Sequence, residues 1–217
     1  MGQQGAGRGP RPRIETLADL VFGLSLSIGA LALIAESPLS TGELVSHIAA
    51  FLFSFLILIT AWLVYTTYMS VLPHETRWLT FLNVCLLFLV ALIPYLLNST
   101  EIANPTLSEA ASSEIRDFAS SLFAVDLAGI MLLLAAFAQL IASEKDLVSP
   151  EAARLFRGGR NRLAILSVVL LASAAPVFWQ LTLFGEPLRL YLWYAPLVSY
   201  WVGRAVSPDS RTYRVAS

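Results

Sequence analysis

Apolar stretches long enough to cross a membrane alternate with short polar turns along this chain, and the first stretch differs from the rest. Arg13 to Ala35 opens on a charged turn (Arg13, Glu15, Asp19). It then carries no cation as far as Ala35, close to the roughly 20 residues that span a hydrocarbon core. Gly23, Ser25, Ser27, Gly29, Ala30 and Ala32 interrupt its large residues. Small residues let helices approach closely, and serines line either a helix contact or water. A polar turn at Glu36-Ser37-Pro38 and Thr41-Gly42 leads to a second span from about Glu43 to Met69. A tight loop, Val71 to Thr76, precedes a third span from about Arg77 to Leu97. Asn98 to Ser113 is polar, with room for a short surface helix, and a fourth span covers about Ile115 to Ala142. After the charged segment Glu144 to Asn161, a fifth span is expected from about Arg162 to Leu183. Gly185-Glu186-Pro187 turns it into a sixth, Leu188 to Val202. The expectation is an all-α polytopic membrane protein with six transmembrane helices.

On the first helix Leu17, Leu24, Ser27, Ile28, Leu31 and Ala35 are spaced by three, four or seven and share a face. That face suits either a packed helix–helix seam or a pore lining in which aliphatic rings form constrictions and Ser27 offers a hydroxyl. Arg13, Glu15 and Asp19 either cap the helix, where acidic groups favour the N-terminal dipole, or form a buried Arg13–Asp19 staple.

Composition agrees with the pattern. Of 217 residues, 57% are hydrophobic and 13% charged, too apolar for a soluble domain of this size. The formal net charge of −1 gives no reason to expect a nucleic-acid partner. Cys85 is the single cysteine and lies in an apolar run, and His47 and His74 lack ligand spacing, so no metal site is expected. No phosphate loop or nucleophile–base pairing is present, which argues against an enzyme and calls for no cofactor.

Charge sets the orientation. With six spans, 12 of the 14 Lys+Arg fall on one side, and only Arg116 and Arg189 lie opposite. By the positive-inside rule both termini are cytoplasmic. Arginines before an apolar segment, and Ala30-Leu31-Ala32, resemble a secretory leader. The charge topology works only if the first helix is retained.

Inside the spans, Asp126 lies near the middle of the fourth, and an intramembrane carboxylate is a candidate functional group. A polar knot with a hydroxyl, Asn83 or Arg13 on another helix is its structural alternative. Asn83, in the third span, reads as interhelical glue. Trp62, Trp179 and Trp193 read as bulk or interface anchors.

The opening stretch resembles the transmembrane protein 175 family of potassium channels, whose first helix begins Arg-x-x-x-Phe-Ser-Asp ahead of an aliphatic pore face. Here the spacing reads Arg13-x-x-x-Leu17-Ala18-Asp19, followed by Val21-Phe22-Gly23-Leu24. Trp62 stands where that family has its second-helix tryptophan, and Tyr65-Thr66 replaces the histidine pair after it. Leu82-Asn83 through Ala91-Leu92-Ile93-Pro94-Tyr95 resembles its third-helix run, and Arg162-Leu163-Ala164 starts a similar fifth helix. The resemblance covers about residues 13–203, as one six-helix repeat. It implies a homotetramer in the cell membrane, with four first helices around a central pore that passes potassium in preference to sodium. Leu24 would form the constriction, with Ser27, Ile28 and Leu31 lining the pore and Arg13, Asp19, Trp62 and Asn83 in a structural network. Potassium ions, the lipid bilayer and further copies of the chain are the implied partners. Residues 1–12, rich in Gly, Pro and Arg, read as a disordered cytoplasmic tail, and 204–217 as a cytoplasmic C-terminal tail. A proton-coupled secondary transporter using Asp126, or a non-conducting scaffold, is the alternative reading. Transporters usually show repeats and broken helices, and neither is evident in the sequence.

Overall fold

The structure is a computed structural model that describes residues 13–35, 38, 40–72, 76–101, 109–143 and 148–206. The expected N-terminal tail (1–12), 207–217 of the expected C-terminal tail and 73–75 of the Val71–Thr76 loop lie outside these residues, whereas 204–206 is not tail but the last turn of a helix. Of the polar stretch Asn98–Ser113, where a surface helix had room, 102–108 lies outside, and its two ends instead extend the flanking helices, to Glu101 and from Glu109.

Five long helices form the bundle: α1 (Arg13–Ala35), α2 (Thr41–Met69), α3 (Arg77–Glu101), α4 (Glu109–Ser143) and α5 (Pro150–Ser173). Their starts are encoded locally. Ser40 accepts a hydrogen bond from the Glu43 amide, and Glu43 stands at the third helical position, as in a capping box. Thr76 accepts from the Leu79 amide at the head of α3. Ser149 accepts from the Ala152 amide, and Pro150 follows at the first position, where its missing N–H costs nothing.

α4 is the most deeply buried helix. It packs along α5 on one side and α3 on the other, while α1 lies outermost against α3 and α2. Phe123, Ala124, Leu127, Ile130, Phe137 and Ala138 on α4 are all fully buried. At the crossing with α3, a Cβ on Gly129 would stand only 2.7 Å from Leu89 Cδ1, so the missing side chain sets how closely these helices approach.

Among the described residues, three helices are individually long and apolar enough to cross a membrane: α2, α3 and α4. The expected fifth and sixth spans are redrawn. α5 starts at Pro150 rather than Arg162, because Ser149 and Pro150 cap it there, and it stops at Ser173. Pro176 ends it, since its ring disfavours helical geometry in the preceding residue and removes a backbone donor. The chain continues as a one-turn helix α6 (Val177–Gln180) and a hairpin of β1 (Thr182–Leu183) antiparallel to β2 (Glu186–Pro187). The sixth segment is broken into α7 (Leu188–Leu192) and α8 (Ala195–Val206). Pro196 lies at the start of α8, where it cannot donate back to the end of α7.

Bonds between helices set the levels of the bundle. Arg160 on α5 donates to Gln139 on α4 at 2.6 Å, and Ser121 on α4 donates to the Ala174 carbonyl just beyond α5 at 3.3 Å. From Gln139 to Ser121 α4 rises about 27 Å at 1.5 Å per residue. Arg162 donates to the Ser199 carbonyl, so α8 returns to the level of the α5 arginines.

Candidate pore helix and its buried polar anchors

α1 has two faces. Ala18, Phe22 and Ser25 are buried against the neighbouring helices, with the Phe22 ring 6.1 Å from that of Tyr65 on α2. Leu17, Leu24, Ser27, Ile28 and Leu31 point away from the chain, and Leu24 is 60% exposed. The two serines therefore divide between the two uses open to them. Ser25 is packed and donates to the Val21 carbonyl, whereas Ser27 is exposed and donates to Gly23. A hydroxyl whose proton is held by its own helix turns its lone pairs outward, as an acceptor for a cation or water. Gly29 faces α2, where a Cβ would make an ordinary contact with the Phe51 ring at 3.7 Å.

Asp19 and Trp62 are brought together. The indole Nε1 of Trp62 donates to Asp19 Oδ1 at 3.0 Å, a charge-assisted bond between α1 and α2. The Trp62 expected as bulk is thus a donor to the first helix. Arg13 begins α1, but its side chain lies outside the described residues. Tyr65, in place of the first histidine of the pair, is buried between the rings of Phe22 and Phe137. Thr66 turns its hydroxyl back onto the Trp62 carbonyl.

Asn83 and Asp126 are not brought together. α3 and α4 run antiparallel, with Arg116 near the start of α4 donating to the Thr100 carbonyl at the end of α3. Since Leu89 faces Gly129, Asn83 and Asp126 lie on opposite sides of that contact, about 13 Å apart along the helix axes. Asn83 is 0% and Asp126 5% exposed, and neither has a hydrogen-bond partner for its side chain among the described residues. The polar knot expected around Asp126 is not formed by Asn83.

The residue that sequence reasoning missed is Arg189. It is 0% exposed, and its guanidinium is bonded on every side. Nε donates to the Ser173 carbonyl at 2.7 Å, and Nη2 to the carbonyls of Ala174 and Ala175 at 3.1 and 3.0 Å. Nη1 meets Asp117 Oδ1 at 2.6 Å and also the hydroxyls of Ser120 and Ser121. The Trp179 ring lies 5.6 Å from Cζ. One side chain on α7 therefore satisfies the free carbonyls at the end of α5 and binds the first turns of α4. The signal was available: the topology expected from the sequence set Arg116 and Arg189 apart from the other cations, and both bond helix C-terminal carbonyls. Trp193, expected as bulk or an anchor, is buried with its ring 4.4 Å from that of Phe123.

Residues 13–94 match a family model described as the endosomal/lysosomal potassium channel TMEM175. That interval holds α1, α2 and α3 as far as Pro94, and includes Arg13, Asp19, Trp62 and Asn83. No curated protein and no solved structure matches the chain. The resemblance read from the first helix is borne out over these residues, and with its apolar helices the chain is an integral membrane protein similar to a family of potassium channels.

Proposed function

We propose that this chain is a potassium-permeable channel, selective for potassium over sodium, in which four copies of α1 surround a central pore in the cell membrane. The observation that carries the reading is the division of α1. The face with Ala18, Phe22 and Ser25 is covered by the chain itself, and the face with Leu24, Ser27, Ile28 and Leu31 is left for something else. Leu24 is the constriction, and the remaining three residues line the conduit. An aliphatic ring offers no oxygen, so an ion passing it must shed or deform its water. Potassium holds its hydration shell less tightly than sodium, which makes the barrier lower for potassium. The same ring closes the pore when it dewets.

The six-crossing topology with both termini cytoplasmic belongs to this proposal. The rise of about 27 Å between the level of Arg160 and the level of Ser121 approaches the roughly 30 Å of a hydrocarbon core. α5 crosses it in one direction, and α7 with α8 crosses back around the bend at Trp193. Arg116 and Arg189 are no exception to the charge rule, because their guanidinium groups are engaged by helix ends.

A second reading, a proton-coupled transporter using Asp126, is favoured by that carboxylate being buried without a partner among the described residues. Reconstitution into planar bilayers under a potassium/sodium gradient separates the two. A channel gives discrete current steps with a reversal potential toward that of potassium. Saturating flux coupled to a proton gradient would establish the transporter instead, and silence in both assays would leave a scaffold.

A further inference from the structure

The sharpest unexplained feature outside α1 is the tip of the β1–β2 hairpin. Phe184 and Gly185 take φ of +52° and +90°, as in a two-residue hairpin turn whose first position favours Asn, Asp or Gly. A bulky side chain at positive φ is strained. Among the described residues nothing repays that strain by packing, for Phe184 is 91% exposed. The hairpin itself is well held. Leu188 donates to the Leu181 carbonyl at 2.7 Å, and the Tyr191 hydroxyl donates to the Leu183 carbonyl at 2.9 Å.

The surroundings of the tip say what covers it. α5 ends at Ser173, yet no charged residue occurs from Leu163 through Gly185. A loop meeting bulk water does not need such a run, and a loop that stays in contact with lipid does. Val177, Leu181 and Leu183 are exposed and extend the apolar outer surface of α5, where Ile165, Val168 and Leu171 are also exposed. The Arg189 knot fixes the level, because it bonds Ser173, about 20 Å along α5 from Arg160, to Asp117 on α4. That end of the bundle is opposite the arginines of α5, on the side where a hydrocarbon core gives way to headgroups and aromatic side chains gather.

We infer that the segment from Val177 to Gly185 is a lipid anchor, with Phe184 seated in the phospholipid interface at the Arg189 end of the bundle. Binding to lipid offsets the strain at Phe184 and holds the broken end of α5 at a fixed depth. The inference depends on the chain being embedded in a membrane and is independent of whether it conducts.

A spin label at Phe184→Cys, in a Cys85→Ala background and reconstituted in phosphatidylcholine vesicles, tests it. Collision with oxygen, which concentrates in lipid, should exceed collision with a water-soluble nickel chelate severalfold. A label at the exposed Glu151→Cys should show the reverse. A label at 184 that meets the chelate more often than oxygen overturns the inference, and so does one that meets neither, which would mean that a second copy covers the tip. Should Phe184→Cys fail to assemble, the same measurement at Leu181→Cys decides. Phe184→Asn, which accepts positive φ, should keep or raise the thermal midpoint in detergent. A clear fall would show that Phe184 is held by contacts within the protein, against the inference.

Discussion

Trp62 Nε1 donates to Asp19 Oδ1 at 3.0 Å, and this bond joins the head of α1 to the second half of α2. Trp62→Phe keeps most of the ring and removes the donor. A hydrogen bond to a charged group contributes roughly 1.5–3 kcal/mol, and the exposure of Asp19 places this one at the lower end. The variant should show a lower thermal midpoint in detergent, and Asp19→Ala should lower the yield of intact oligomer. If both variants elute and melt like the parent, the bond has no structural role.

Arg189→Met should be far more damaging than Asp117→Asn. The first change leaves the Ser173 carbonyl without its donor and Asp117 without its cation, and breaking a buried pair from one side typically costs roughly 3–5 kcal/mol, reduced here because Asp117 is 33% exposed. The second leaves Arg189 bonded to Ser120, Ser121 and the end of α5. Arg189→Lys should not rescue, because an ammonium cannot reproduce the planar fork. Equal melting points for the Met and Lys variants and the parent would remove the knot from the account of stability.

Gly129→Ala should lower stability by about 1 kcal/mol, within the range for overpacking, through its clash with Leu89. The contact is with the flexible end of a side chain, so Gly129→Ala combined with Leu89→Ala should be less costly than the sum of the two. Strict additivity in a thermal-unfolding cycle would mean that the two residues do not meet.

Leu24 carries the riskiest expectation. If four copies form the constriction, Leu24→Ala widens the ring and eases its wetting. Each tenfold gain in passage needs only about 1.4 kcal/mol off the barrier. Current in planar bilayers should rise, and preference for potassium over sodium should fall, because both ions then pass with more of their water. Leu24→Asn should wet the pore at nearly constant size, and Ser27→Ala should mainly weaken selectivity. Unchanged conductance and ion ratio in Leu24→Ala would place Leu24 outside the pore.

The limits of α1 were legible in the sequence because they depend on neighbours in the chain. A charged turn at Arg13 and an unbroken cation-free run to Ala35 predict the helix that is found. The second span was legible in the same way, while the third and fourth were legible as helices but run further into the polar stretch between them, to Glu101 and from Glu109, because a helix does not stop where hydropathy falls. The expected face of α1 was legible too, since helical period alone puts Leu24, Ser27, Ile28 and Leu31 together. What period could not supply was which side of that helix its own chain would cover.

That choice, and the partners of the charged residues, were decided by tertiary structure. Asp19 meets Trp62 across 43 positions and Arg189 meets Asp117 across 72, separations at which no local pattern signals a contact. The fifth and sixth spans were misdrawn for a related reason. Hydropathy stays high from Leu163 to Gly185, but a helix ends where backbone donors run out, at Pro176, and not where apolar residues do. The sequence set which segments must leave water. The Ser173 carbonyl, buried at the end of α5, finds its donor in the Arg189 guanidinium that the fold brings to it, and that pairing exists only in three dimensions.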